Sequence, residues 1–210
     1  MELGLILSFI GASVILSLLP GPDNIFVLTE SLTKGQRNGI TISIGLSLGV
    51  LVHTIAAATG LSIIVQKSAI AFSIIKYFGA AYLFYLAYQA IKENKPFINL
   101  SSSTINKQKE RLLPLIRKGF LMNVLNPKVS LFFIAFLPQF ITVNGINITF
   151  QMLILGFIFM VQALLVFGTI SILSSKLTKY VNSPKFWIIT KWSKVSVLSV
   201  LGLTLAISRK

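Results

Sequence analysis

The chain is a succession of apolar runs, each near the length at which a helix crosses a bilayer. They fall at residues 3–28, 40–64, 70–91, 119–142, 149–174 and 187–208, and about 20 residues are needed to cross ~30 Å of hydrocarbon. Inside lipid every backbone N–H and C=O must be paired, which leaves helices or a closed barrel. Barrel strands take only about 9–11 residues, so runs of this length predict helices. A soluble domain could not wet such a surface, with 54% of residues hydrophobic and 11% charged and a mean hydropathy of +0.83. The predicted fold is therefore an all-α integral membrane protein with about six transmembrane helices. The segment before Pro20 lacks a basic stretch ahead of Leu3 and a small-residue cleavage site, so it is read as a retained helix rather than a signal peptide.

The formal charge of +14 would suggest nucleic acid in a soluble protein, but here it marks topology. Bases gather in alternate inter-helix segments: Lys34 and Arg37; then Lys92, Lys95, Lys107, Lys109, Arg111, Arg117 and Lys118; then Lys176, Lys179, Lys185, Lys191 and Lys194. The opposite side holds Lys67, Arg209 and Lys210, while Lys76 and Lys128 fall within spans. The positive-inside rule puts the basic segments in the cytoplasm and both termini outside. With no cysteine, one histidine and five acids, disulfides and thiolate sites are excluded and most metal centres lack ligands, so no cofactor is expected. The last span is the shortest, because its uninterrupted apolar run is only Val195 to Ser208. It crosses if Lys191 and Lys194 snorkel and Trp187 and Trp192 lie in the interfacial belt; a five-span chain is the alternative.

The polar stretch with Pro96, Ser101, Ser102, Ser103 and Asn106 reads as a linker. It divides the chain into residues 1–95, a cytoplasmic linker 96–116, and residues 117–210, each outer part holding three spans. An odd number of spans per half inserts the halves in opposite senses, giving two inverted three-helix repeats. Helices one and four are each interrupted, the first by Pro20, Gly21, Pro22, Asp23 and Asn24, the fourth by Asn123, Asn126, Pro127 and Lys128. Proline removes a backbone donor, so a helix breaks or kinks there. Laying Pro22 on Pro127 lays Asp23 on Lys128. By helical rise each break is expected roughly 8 to 14 Å from the cytoplasmic end. A zwitterionic solute needs donors and acceptors a few ångströms apart, and broken helices supply both: exposed amides for a carboxylate, freed carbonyls and Asp23 for an ammonium. The blander readings are two simple kinks, a structural Asp23–Lys128 pair, or Asp23 as a helix cap.

These residues resemble the LysE/RhtB family of amino-acid exporters over most of the chain. The resemblance is carried by Pro20-Gly-Pro-Asp23, Ser31, Gly35, Arg37, Gly39, Gly45, Gly49, His53 and Gly60. It continues through Lys76, Gly79-Ala-Ala-Tyr-Leu83, Gly119, Asn123, Asn126-Pro-Lys128 and Pro138-Gln-Phe140. It implies a secondary exporter of amino acids or close derivatives, driven by protons, in a bacterial inner membrane, and not an enzyme. The last third departs most, keeping mainly Gly202.

Gly45 and Gly49 permit close helix approach, as does Gly79-Ala-Ala81, and Tyr82, Tyr85 and Tyr88 are assigned to an interhelical seam. His53 either relays protons or is a neutral imidazole bonded to a carbonyl; Asp23 is the better proton carrier. Lys76 snorkels, and Glu30 with Lys34 and Arg37 makes a surface charge cluster or a gate. Homodimerisation through small-residue faces is a further expectation. A membrane enzyme would need a nucleophile with a base or a zinc helix, and neither motif occurs. A metal-ion permease is the closer rival, but hard cations favour several carboxylates and only Asp23 lies deep in a span.

Overall fold

The computed structural model describes residues 1–93, 111–142, 145–181 and 183–208, and these form helices without strands. Helix α1 (Leu3–Leu18) and α2 (Pro22–Lys34) meet at a 58° bend. The cause is local. Leu19 precedes Pro20 and is pushed out of the helical region, at φ −58° and ψ 119°. Gly21 is extended, and Pro22 then begins α2 at the first helical position, where its missing N–H costs nothing. The same device recurs between α6 (Leu112–Val124) and α7 (Pro127–Leu131), which continues as a π-helical turn, Phe132–Phe136, and a 3₁₀ turn, Leu137–Phe140. There Asn126 is extended before Pro127, its side chain caps the Lys128 amide at 3.0 Å, and the bend is 50°.

The remaining helices are α3 (Gln36–Ala56), joined through the π-helical turn Ala57–Leu61 to α4 (Ser62–Lys67), then α5 (Ala69–Lys92), α8 (Ile148–Ile172), the short α9 (Ser174–Val181) and α10 (Pro184–Ile207). Among the described residues 4 helices are long and apolar enough to cross a membrane, or up to 6 if each bent pair counts as one span. Helix α10 has 24 residues because it begins at Pro184, ahead of its apolar run. The expected linker lies mostly outside the described residues, but its end does not: Leu112 to Ile116 are already helical.

The halves interlock. Helix α3 packs on α6 and α8, α1 on α8, and α5 on α10. Gly45 lies against the Ile116 carbonyl, and Gly119 lies against the Ile42 carbonyl and Gly45 itself, so a side chain at either position would strike backbone. Gly156 similarly accommodates Thr54. Helices α5 and α10 cap each other: Lys76 donates to the Ser208 carbonyl at 2.8 Å, and Lys191 donates to the Glu93 carbonyl at 3.3 Å. Thus Lys76 is buried against a helix terminus rather than merely snorkelling. Two of the three tyrosines assigned to a seam depart from expectation, because Tyr85 and Tyr88 are 50% and 52% exposed and lie on the outer face, whereas Tyr82 is half-buried. Their neighbours Leu83, Ala87 and Ala90 take the buried stripe instead.

Candidate functional site

The two helix breaks meet inside the bundle. Asp23, on the first turn of α2, is 1% exposed, and its Oδ2 accepts a hydrogen bond from the Asn126 side-chain amide at 2.6 Å. Asn126 therefore spends its oxygen capping α7 and its nitrogen on Asp23, tying one break to the other. Lys128 reaches back across the gap and donates to the carbonyls of Leu16 and Leu19 at 3.1 and 3.2 Å. These are carbonyls at the end of α1, which the interruption deprives of helical partners. An ammonium there also faces the negative end of the α1 dipole. Asp23 and Lys128 form no direct ion pair among the described residues. The simple structural pair suggested by their alignment is thus replaced by a longer chain of contacts through Asn126 and the α1 terminus.

Asn24 points elsewhere, its amide donating to the Ser17 carbonyl at 2.8 Å, while Gln162 of α8 donates to the Ser17 hydroxyl at 3.0 Å. Asn123 is 1% exposed, and its backbone carbonyl receives His53 Nε2 at 3.2 Å. A carbonyl only accepts, so Nε2 carries the proton in this contact. His53 is thereby attached to the second break, and no hydrogen bond joins it to Asp23. Several buried oxygens in this region have no donor: Asp23 Oδ1, Asn24 Oδ1, Asn123 Oδ1 and Gln162 Oε1. Unmet acceptors of this kind are costly in a dry interior and suit a region that receives donors from elsewhere.

At the end of the bundle that carries the bases, Glu30 is buried and paired with Lys34 at 3.2 Å and with Lys118 of α6 at 3.7 Å. The Lys118 ammonium also lies over the Phe26 ring at 4.2 Å. The cluster joins α2 to α6. A cleft of about 480 Å³ runs from the first break to the opening turns of α10, lined by Pro20, Gly21, Pro22, Ile25, Glu93, Trp187, Ile188, Thr190, Lys191 and Lys194. This volume is within the ~300–1,000 Å³ usual for small-molecule sites. At the opposite end the bundle is packed with aromatics, Phe9 against Phe132, Phe140 and Phe159 with ring centroids 5.2–6.5 Å apart.

Residues 14–209 match the family profile described as LysE type translocator. The chain belongs to the LysE-type translocator family. A Vibrio cholerae protein described as an uncharacterized membrane protein is 31% identical over 212 residues, covering 100% of both chains. The uncharacterized membrane protein YrhP of Bacillus subtilis is 33% identical, over 86% of this chain and 88% of its own. A homoserine/homoserine lactone efflux protein of Salmonella typhimurium is 29% identical over 96% of each. No solved structure matches. This LysE-type protein is accordingly a multi-pass membrane transporter and not an enzyme.

Of the residues singled out in the sequence, Pro20, Gly21, Pro22 and Asp23 converge with Asn126, Pro127 and Lys128. Asn24, Asn123 and His53 flank that meeting point. Ser17 and Gln162 were not anticipated, although a glutamine amid the apolar run of α8 is itself a signal in a membrane helix. Lys191 and Lys194 registered only as topological and snorkelling charges, and Glu93 carried no assignment.

Proposed function

We propose that this transporter exports small amino acids or close derivatives, homoserine among them, from the cytoplasm across a bacterial inner membrane in exchange for protons. The observation that carries the proposal is the junction of the two helix breaks, where Asp23, Asn126 and Lys128 gather opposite charges and freed backbone groups within one buried region. Intramembrane ionisable groups are costly and usually serve transport. The basic end is assigned to the cytoplasm by the positive-inside rule, so the cleft beside the first break is the entry. Efflux proteins for homoserine and its lactone among the relatives support the solute class.

The inverted repeat, divided near residues 96–116, forms part of the same proposal. Its support is the pair of bends at Pro22 and Pro127 and the reciprocal capping of α5 and α10. Lys76 and Lys191 occupy equivalent places, as do Glu93 and Ser208. Asp23 is assigned as the proton carrier, with His53 secondary through its bond to the second break.

The test is efflux from preloaded proteoliposomes with a panel of labelled amino acids, comparing the parent protein with Asp23→Asn and Lys128→Ala. Selective efflux driven by a pH gradient, and lost in both variants at normal insertion, is the expected result. Gradient-independent efflux would remove the proton, and absence of efflux for every solute would remove the amino-acid assignment.

A further inference from the structure

We propose that the cleft between the first helix break and α10 is a carboxylate-reading site, with Lys128 reached from it through the gap left by Gly21, and that it takes zwitterionic or anionic solutes with uncharged side chains while rejecting basic amino acids. The inference rests on the export reading and narrows its substrate class.

The geometry begins at Gly21, which lines the cleft floor. A β-carbon built there would lie 3.5 Å from Lys128 Nζ, with nothing else but the Leu19 carbonyl nearby at 3.9 Å. The absent side chain is therefore what keeps the space between the cleft floor and the ammonium open. An ammonium has three donors. Two are engaged by the Leu16 and Leu19 carbonyls, and the third has no acceptor among the described residues. A carboxylate entering over Gly21 completes the set with a charge-assisted hydrogen bond.

The rest of the wall has the same preference. Lys194 and Lys191 both turn toward the one carboxylate there, Glu93: Lys194 pairs with its side chain at 2.5 Å and Lys191 with its backbone carbonyl at 3.3 Å. Lys191 and Lys194 both line the cleft, so an anion entering it is attracted by the ammonium groups of the wall, whereas a second cationic group on the solute is repelled by them. Trp187, Ile188 and Ile25 supply apolar wall, and Glu93, half-exposed but already paired, is left as a weak acceptor for the solute's single ammonium. The arrangement thus reads a carboxylate strongly, tolerates one ammonium, and has no place for a cationic side chain.

The experiment is a binding titration on the purified full-length protein in nanodiscs, read by tryptophan fluorescence and by thermal shift. The probes are homoserine, 4-hydroxybutyrate (which lacks the amine), 3-aminopropanol (which lacks the carboxylate), and lysine. Homoserine and 4-hydroxybutyrate are expected to bind, and 3-aminopropanol and lysine to bind at least ~10-fold more weakly, the factor corresponding to one charge-assisted contact of about 1.4 kcal/mol. Gly21→Ala adds a methyl at ordinary contact distance without backbone strain, so it folds; it is expected to weaken homoserine about 10-fold, and Gly21→Val more. Lys191→Glu is expected to admit lysine. Binding of 3-aminopropanol as tight as homoserine, or affinity unchanged in Gly21→Val, overturns the proposal. Carboxylate discrimination in nanodiscs with no amino-acid efflux from proteoliposomes would leave the site standing and reject the export reading, so the two failures are separable.

Discussion

At the scale of single residues, Lys128 shows how one side chain serves two purposes. It pairs carbonyls that the Leu19–Pro20 interruption frees, and it places a positive charge beside the α1 terminus. Lys128→Met keeps the length and loses both. It is expected to lower stability by about 1–3 kcal/mol, the cost of a buried unpaired acceptor, as measured by denaturant unfolding in detergent; unchanged stability would mean the carbonyls find other partners. Asn126→Ala removes both the α7 cap and the donor to Asp23. A cap alone is worth ~1 kcal/mol, so Asn126→Ser, which can still cap, is expected to restore stability while leaving efflux impaired. Recovery of both would reduce Asn126 to a cap. The break residues were legible because proline beside an ionisable residue is rare within an apolar run. Ser17 and Gln162 were not, since one polar residue facing a neighbouring helix leaves no periodic mark. Lys191 and Lys194 were masked by a sufficient alternative explanation, because loop lysines already account for topology.

At the scale of the helices, hydropathy located the centres of the spans and misjudged their ends. Helix α2 runs on to Lys34 and α6 starts at Leu112, so each break stands 13 residues from its basic-end terminus, about 20 Å along the helix rather than 8 to 14 Å. The reason is the Glu30 cluster: polar turns are buried by partners on α6 rather than by lipid, and an apolar count stops short of them. The glycines behaved as packing residues, as their spacing on α3 indicated. Because Gly119 sits on the α3 backbone, Gly119→Val has no flexible neighbour to displace. Overpacking of this kind costs about 1–3 kcal/mol, and the variant is expected to show a lower melting temperature together with loss of transport. Gly11→Ala, which meets nothing within 4 Å, is the matched control and is expected to behave as the parent.

For the whole molecule, the asymmetry between the two ends matters most. The basic side holds the cleft between the first break and α10, while beyond the breaks phenylalanines pack together and Gly79 of α5 is seated against Ala135 of the π-helical turn. If the halves are inverted copies, the closed contact of one is the pattern for closing the other: α10 approaches α2 much as α5 already approaches Ala135. Transport then requires the cleft walls to move relative to each other. The sequence contains no cysteine, so paired thiols can be introduced without background. Ile25→Cys with Ile188→Cys places one thiol on each wall. Oxidation is expected to join them only in the closed state, to stop efflux, and to be reversed by reductant, with either single variant unaffected. A saturating carboxylate ligand wedged in the cleft is expected to slow the cross-link. Full efflux from a completely cross-linked protein would show that the solute passes elsewhere and that the cleft does not open and close during transport.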